Sequence, residues 1–269
     1  MAENNKILYI NQEINPYVAE SFRSMLARGL HQGMQEAGFE VRTFMPKYAI
    51  INERKNQLHE VIRLSGMNII IDDSDHPLII KVATLQTARM QVYFIFNDDY
   101  FQKGMAKELE TVVSPEDNDE RSIFFIRGSL ETVKKLRWIP DVVHCQGWIG
   151  ALTPFYLKYV YKDDPTYTNV KIVVSLFNDK FEGTLDERLA DKLKMDGVPT
   201  SKVKPIKGKS IDYYELMKLA MDASDAICIA EPDVEAELIE YARATGKPLM
   251  EYPGEENYIE AYANFYRSI

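Results

Sequence analysis

Two hydrophobic periods alternate along this chain. Lys6 to Asn11 is apolar almost throughout and predicts a strand buried on both faces. From Ser21 the period becomes helical. Phe22, Leu26, Leu30, Met34 and Ala37 share one face, and Gly38 stops the helix. Phe39 to Met45 predicts a second strand, with Phe39, Val41, Thr43 and Met45 set against Glu40 and Arg42. Four β-like runs follow: His59–Leu64, Met67–Ile71, Leu78–Leu85 and Met90–Phe96. Turn residues such as Ser65-Gly66 and Asp72-Asp73-Ser74-Asp75 join them, which predicts an antiparallel excursion. Helical and strand patterns then alternate again. Asp119–Trp138 predicts a helix, Asp141–Cys145 a strand, Trp148–Tyr161 a helix and Val170–Phe177 a strongly apolar strand. Phe181–Lys209 is charged and irregular, and predicts a loop with one short helix. Ile211–Ala223 predicts a helix, Asp225–Ala230 a strand, and Pro232–Ala244 a helix ended by Gly246 and Pro248. Glu255–Ile269 closes the chain with Tyr258, Tyr262, Phe265 and Tyr266 at helical spacing.

This order predicts an α/β fold. A Rossmann-like, doubly wound, mostly parallel sheet carries an antiparallel β excursion. No internal repeat or long linker divides residues 1–269, so they are expected to form one domain of 269 residues. The net charge of −9 favours solubility and argues against a nucleic-acid partner, whose phosphates it would repel. No stretch approaches the roughly 20 apolar residues that a membrane span needs. Met1 to Lys6 is polar and runs straight into a strand, unlike a signal peptide, so a cytoplasmic location is expected. The two cysteines, Cys145 and Cys228, lie in apolar runs and are expected to be reduced core residues. Four scattered histidines give no metal-ligand spacing.

In open parallel sheets, ligands bind beyond the carboxyl ends of the strands. Four strand-to-helix turns are therefore of interest: Asn11–Ser21, His144–Trp148, Phe177–Gly183 and Glu231-Pro232-Asp233. The first leads into a helix N-terminus, whose amides and dipole can hold a phosphate. Yet it reads Glu13-Ile14-Asn15-Pro16-Tyr17-Val18-Ala19-Glu20-Ser21, without glycine or lysine, and Glu20 puts negative charge at the amide end. A helix-capping turn is the better reading. Gly29 and Gly33 lie one turn apart inside the helix and are read as letting it pack closely on the sheet. His144, Gln146 and Trp148 stand at the second lip. His144 could bind a sugar hydroxyl or phosphate, or be a satisfied structural histidine, and Trp148 could pack or stack on a ligand. There is no nucleophile–base pair, carboxylate dyad or metal cluster at recognisable spacing. Asp72-Asp73 and Asp98-Asp99 are read as solvated turn residues.

At these same turns the chain resembles the N-terminal half of bacterial glycogen and starch synthases, the ADP-glucose-dependent family 5 glycosyltransferases of the GT-B fold. Glu13 and Pro16, then Leu30, Gly38, Phe39, Glu40, Val41, Arg42, Pro46 and Tyr48, resemble the family's E-x-x-P-x-x-K-x-G-G-L signature and its L-x-x-x-G-H-E-V-R-x-x-x-P-x-Y run. Asp117-Asn118-Asp119-Glu120-Arg121 to Arg127 is similar to D-N-x-x-R-F-x-F-F-x-R. Pro140 to Trp148, with Ala151, Leu152, Pro154 and Leu157, resembles P-D-V-V-H-x-x-D-W-H-x-A-L-x-P-x-x-L. Asn178–Gly183 echoes T-x-H-N-x-x-Y-Q-G, and Ser224–Pro232 resembles A-D-x-V-T-T-V-S-P.

The resemblance implies a single GT-B half, with ADP-glucose as the family's donor, no separate cofactor, and a place in glycogen biosynthesis. The departures fall on the chemistry. The family's sugar-nucleotide lysine falls at Ala19, its glycines at Ser21 and Phe22, and its nearby aspartate at Met25. The D-W-H trio becomes Gly147, Trp148 and Ile149, and the histidine of H-N becomes Phe177. No catalytic residue is therefore assigned. Asn15, Tyr17, Ala19, Glu20, Ser21, His144, Gln146, Trp148 and Asn178 mark a degenerate sugar-nucleotide cleft. The expected function is a non-catalytic module that binds an α-glucan or a partner protein. The alternatives are a glucosyltransferase, alone or completed by a separate C-terminal half, and a structural homo-oligomer formed through the former inter-domain face. Residues 255–269 are expected to be the family's returning helix, packed back on the domain. An open polar groove beside Tyr17, Glu20, His144 and Trp148 would favour glycan binding, and a plugged apolar one the interaction reading.

Overall fold

The computed structural model describes residues 5–85, 88–101 and 117–269; Met1–Asn4 lie outside them. The strands are β1 (Lys6–Asn11), β2 (Glu40–Pro46), β3 (His59–Glu60), β4 (Met67–Ile71), β5 (Ser74–Leu85), β6 (Met90–Phe96), β7 (Val142–Gln146), β8 (Lys171–Leu176), β9 (Ala226–Ile229) and β10 (Leu249–Met250). They form a sheet of order β10-β9-β8-β7-β1-β2-β6-β5-β3, with β4 also paired to β5. Pairing is parallel from β10 to β6 and antiparallel among β6, β5, β4 and β3. The mostly parallel sheet and its antiparallel excursion are those the sequence pattern predicts.

The described helices are α1 (Phe22–Glu36), α2 (Asp98–Phe101), α3 (Asn118–Lys135), α4 (Thr153–Tyr159), α5 (Leu189–Met195), α6 (Thr200–Val203), α7 (Tyr213–Ala223), α8 (Ala236–Ala244) and α9 (Tyr258–Ser268). Strand residues alternate between two apolar layers, because successive side chains leave a strand on opposite faces. Leu8, Ile10, Val143, Cys145 and Val174 pack in one layer with α3, α4, α7 and α8. Ile7, Tyr9, Val142, Val173 and Cys228 pack in the other with Leu30 and Met34 of α1 and Tyr262 and Tyr266 of α9. Both cysteines are free and buried.

Several local expectations are corrected. Trp148–Tyr161 is a short 3-10 turn, Trp148–Gly150, followed by α4. Pro154 sits in the first turn of α4, where its missing N–H costs nothing, so the helix starts there instead of at Trp148. Phe181–Lys209 holds two short helices and a 3-10 turn. The first of them, α5, is tied down by Lys192, whose buried ammonium contacts Asp119, Glu120 and Asp186, each at 2.8 Å. Asp72 is not simply solvated, since Arg188 pairs with it at 2.7 Å. Asp98 and Asp99 are exposed, as expected, and open helix α2 instead of sitting in a turn, an acidic start that suits its dipole.

Helix α1 corrects the sequence reading most. Its buried face is Ser24, Ala27, Leu30, His31, Gly33 and Met34, so the predicted stripe is right in its middle, at Leu30 and Met34, and wrong at both ends, where Phe22 and Ala37 are exposed. Phe22 is 37% exposed and Met25 46%. Gly29 and Gly33 do not face the sheet. A Cβ on Gly29 would overlap the Tyr258 hydroxyl, and one on Gly33 would stand 2.9 Å from Ile259 Cγ1 and Cγ2. The two glycines are the seat on which α9 crosses α1.

Candidate functional site

The direction of chain crossover reverses between β1 and β7, so their carboxyl ends mark the crevice where an open α/β sheet places its ligands. Here the molecule's own groups fill that crevice. The Gln12 amide donates to the Gln146 carbonyl at 2.9 Å, and the Tyr48 hydroxyl donates to the Gln12 carbonyl at 2.9 Å. Gly147 has φ +94°, and a Cβ there would meet Gln12 Cβ at 2.5 Å, so the second turn closes directly on the first. Gln12, Glu13, Asn15, Gln146, Trp148, Asp179 and Glu231 are all buried.

Charge at the lip gathers around Arg23, which sequence reasoning missed. Its Nε donates to Glu13 Oε1 at 2.7 Å and its Nη1 to the Asn178 carbonyl at 3.2 Å. Ser21 Oγ donates to the same Glu13 oxygen at 2.8 Å. Asp179 accepts from the Trp148 amide at 2.8 Å and from the Tyr213 hydroxyl at 2.6 Å, and Glu231 accepts from the Asn178 amide at 2.9 Å. Burial pulls the Arg23 pKa down, but Asp179, Glu13 and Glu231 outweigh it and the net shift is upward. Burial pushes the Asp179 and Glu231 carboxyls up, against the opposing pull of Arg23. Arg23 is thus paired with Glu13 and lies in the field of Asp179 and Glu231.

The α1 N-terminus is already occupied. The Ser21 side chain accepts from the Ser24 amide and the Ser24 hydroxyl reaches back to the Ser21 amide, a reciprocal cap. The Ala19 carbonyl accepts from Ser24 Oγ at 3.0 Å, and Glu20 stands exposed beside the cap. A phosphate here would meet a capped amide and an acidic neighbour instead of open N–H groups.

The other predicted site residues separate. Asn15 is buried and accepts from Arg28 Nη1 at 2.8 Å. Tyr17 is buried edge-on against Phe94, with ring centroids 4.8 Å apart. Trp148 packs against Phe181 at 5.0 Å. Gln146 lies buried at the end of β7, and Asn178 is exposed at the lip. His144 is fully buried under α9. Its Nδ1 shares a hydrogen bond with the Tyr266 hydroxyl at 2.6 Å, and its Nε2 one with Ser175 Oγ at 2.7 Å. Burial lowers its pKa to about 3, so it is a neutral, satisfied histidine with no path to a ligand. The structure therefore brings Ser21 and Asn178 together at the lip and leaves Tyr17, His144 and Trp148 in the packing. Arg23 follows directly on the two positions where the family has glycine, but no local pattern signals a salt bridge to Glu13 ten residues earlier.

A cavity of about 700 Å³ opens beside this plugged crevice. It is a largely apolar groove between the first turns of α1 and the segment that leads from β10 into α9. Phe22 and Met25 form one wall, Tyr252 and Tyr258 the other, and Glu20 and Glu255 stand at the mouth. Among the described residues, no group of three or more His, Cys, Asp or Glu could hold a metal ion, and no helix is long and apolar enough to cross a membrane.

Residues 6–250 match the family described as "Starch synthase catalytic domain". A glycogen synthase of Chlorobium luteolum is 36% identical over 191 residues, covering 71% of this chain and 39% of that protein. A glycogen synthase of Chlorobium phaeovibrioides is 32% identical over 256 residues, covering 94% of this chain and 51% of that protein. The catalytic domain of Starch Synthase IV from Arabidopsis thaliana, solved bound to ADP and acarbose, superposes with a TM-score of 0.71 at 17% identity. It matches 93% of this chain, which covers 51% of it. The chain spans about half the length, or less, of the relatives described here.

Proposed function

The chain belongs to the starch synthase catalytic domain family, and from that premise we propose that it is a non-catalytic member whose role is to hold a protein partner. One observation carries the reading. At the switch point, Ala19 stands where the family has its sugar-nucleotide lysine, and Arg23, the guanidinium at the lip, is committed to Glu13 with Asp179 and Glu231 around it. A sugar-nucleotide diphosphate at that position would need cationic or amide partners. It would instead meet Glu20, a capped helix start and a guanidinium already paired with Glu13 in the field of Asp179 and Glu231. Positioning and charge stabilisation are the main resources for such a transfer, and both depend on groups replaced here.

The second observation concerns the cleft wall. Tyr17, His144 and Trp148 are buried in packing, and the nearby groove is apolar. This favours a protein partner over a hydrated glucan. The reading places the module in the cytoplasm, alongside the glucan metabolism to which its relatives' names point. Incubating the purified protein with labelled ADP-glucose and glycogen tests it. No incorporation above a protein-free blank is expected, and incorporation that scales with protein concentration would overturn it.

A further inference from the structure

The groove between α1 and the β10–α9 segment has a chemistry that selects its occupant. Its walls are the exposed Phe22 and Met25 on α1 and the half-buried Tyr252 and Tyr258 opposite. Both lips end in exposed carboxylates, Glu20 on the α1 side and Glu255 on the other. Arg28 also lines the groove, where it donates to Asn15 Oδ1, and Arg23 is paired with Glu13. The chain as a whole carries a net charge of −9. An apolar floor between two acidic lips repels phosphates and acidic segments. It complements a segment that presents an apolar stripe flanked by Lys or Arg.

We propose that this groove docks a basic, amphipathic segment of a partner protein. Apolar side chains of that segment lie against Phe22, Met25 and Tyr252, and its Lys or Arg residues pair with Glu20 and Glu255. A groove of about 700 Å³ takes one or two anchoring side chains of a helix or extended peptide, the scale on which hot-spot recognition works. The seat is preorganised, because α9 is locked to α1 through Gly29 and Gly33, so little ordering of this protein accompanies docking. The inference deepens the partner-holding reading and rests on it, but transfer activity tests that reading independently.

The test uses fluorescein-labelled peptides of about 14 residues that share one Leu/Ala face and differ only in a Lys or a Glu polar face. Anisotropy is read at about 50 and about 300 mM salt. The Lys peptide is expected to bind wild type at least about tenfold tighter than the Glu peptide and to weaken with salt. F22S/M25S is expected to lose about tenfold or more, and E20K/E255K to reverse the preference. Phe22, Met25, Glu20 and Glu255 are all exposed, so these variants should keep the wild-type circular dichroism. Binding of the Lys peptide unchanged by F22S/M25S would reduce it to general attraction by an acidic protein and overturn the proposal. So would binding of neither peptide, displacement of the Lys peptide by maltoheptaose, or a wild-type dimer in sedimentation that F22S/M25S abolishes.

Discussion

The buried histidine in the middle of β7 gives the fold a defined acid sensitivity. His144 is 0% exposed, satisfied at both ring nitrogens, and held by burial at a pKa of about 3. In the unfolded chain its pKa returns to about 6.5. A depressed folded pKa means that the unfolded state takes up the proton first. Stability is therefore complete above about pH 6.5 and falls as the pH drops toward 3. Between pH 7.5 and pH 5, linkage of one such group costs about 2 kcal/mol. For a chain of this size that is a loss of about 4 °C in Tm. His31, stacked on Tyr9 at 3.8 Å and also lowered by burial, acts in the same direction. Burial raises the Asp119, Asp179, Asp196 and Glu231 carboxyls, so these groups bind protons more readily in the folded state and act in the opposite direction. The raw pH profile is thus a composite, and the comparison must be with His144→Gln at each pH. Denaturant unfolding at pH 7.5 and pH 5 is expected to show wild type losing about 2 kcal/mol more than the variant. Parallel pH profiles would refute the assignment of His144 as a neutral histidine locked beneath α9.

Other substitutions probe the seats that fix the groove and the charged excursion. Gly33→Val would drive a side chain into Ile259 and lift α9, with an expected cost of about 1–3 kcal/mol by thermal melting. Deleting residues 255–269 removes Tyr262 and Tyr266 from the sheet and should lower Tm further; unchanged melting would contradict this role for α9. Lys192→Met leaves Asp119, Glu120 and Asp186 without their shared cation and is expected to cost about 3–5 kcal/mol near neutral pH. Burial already holds the Asp119 carboxyl at about 6, so lowering the pH to 5 should neutralise it and restore part of that loss.

The parallel sheet was legible because its strands are continuous apolar runs, such as Lys6–Asn11 and Val170–Phe177, which can only be buried on both faces. β10 was not, because two residues, Leu249 and Met250, leave no period to read. Of the two short helices at 189–203 only one was expected, for another reason. They are short and charged, and α5 is held by long-range ion pairs to α3, which leave no periodic mark. The α1 stripe misled at its start because a helix can run past the sheet it covers: Phe22 satisfies the period yet lines a groove. The site was legible as a set of turns at the sheet's carboxyl edge and as a series of replaced family positions. Its actual chemistry depends on Arg23 pairing with Glu13 in the field of Asp179 and Glu231, groups that come from three different strand ends, a tertiary coincidence that no local pattern encodes.

The self-neutralised lip is the centre of the account, and calorimetric titration of ADP-glucose into the purified protein tests it most directly. With Ala19 where the resemblance sets the family's lysine, and Arg23 paired with Glu13 in the field of Asp179 and Glu231, the expected result is no saturable heat at ligand concentrations up to about 1 mM. A saturable isotherm with a Kd below about 100 µM would show that the lip still accepts a sugar-nucleotide diphosphate and would contradict the account.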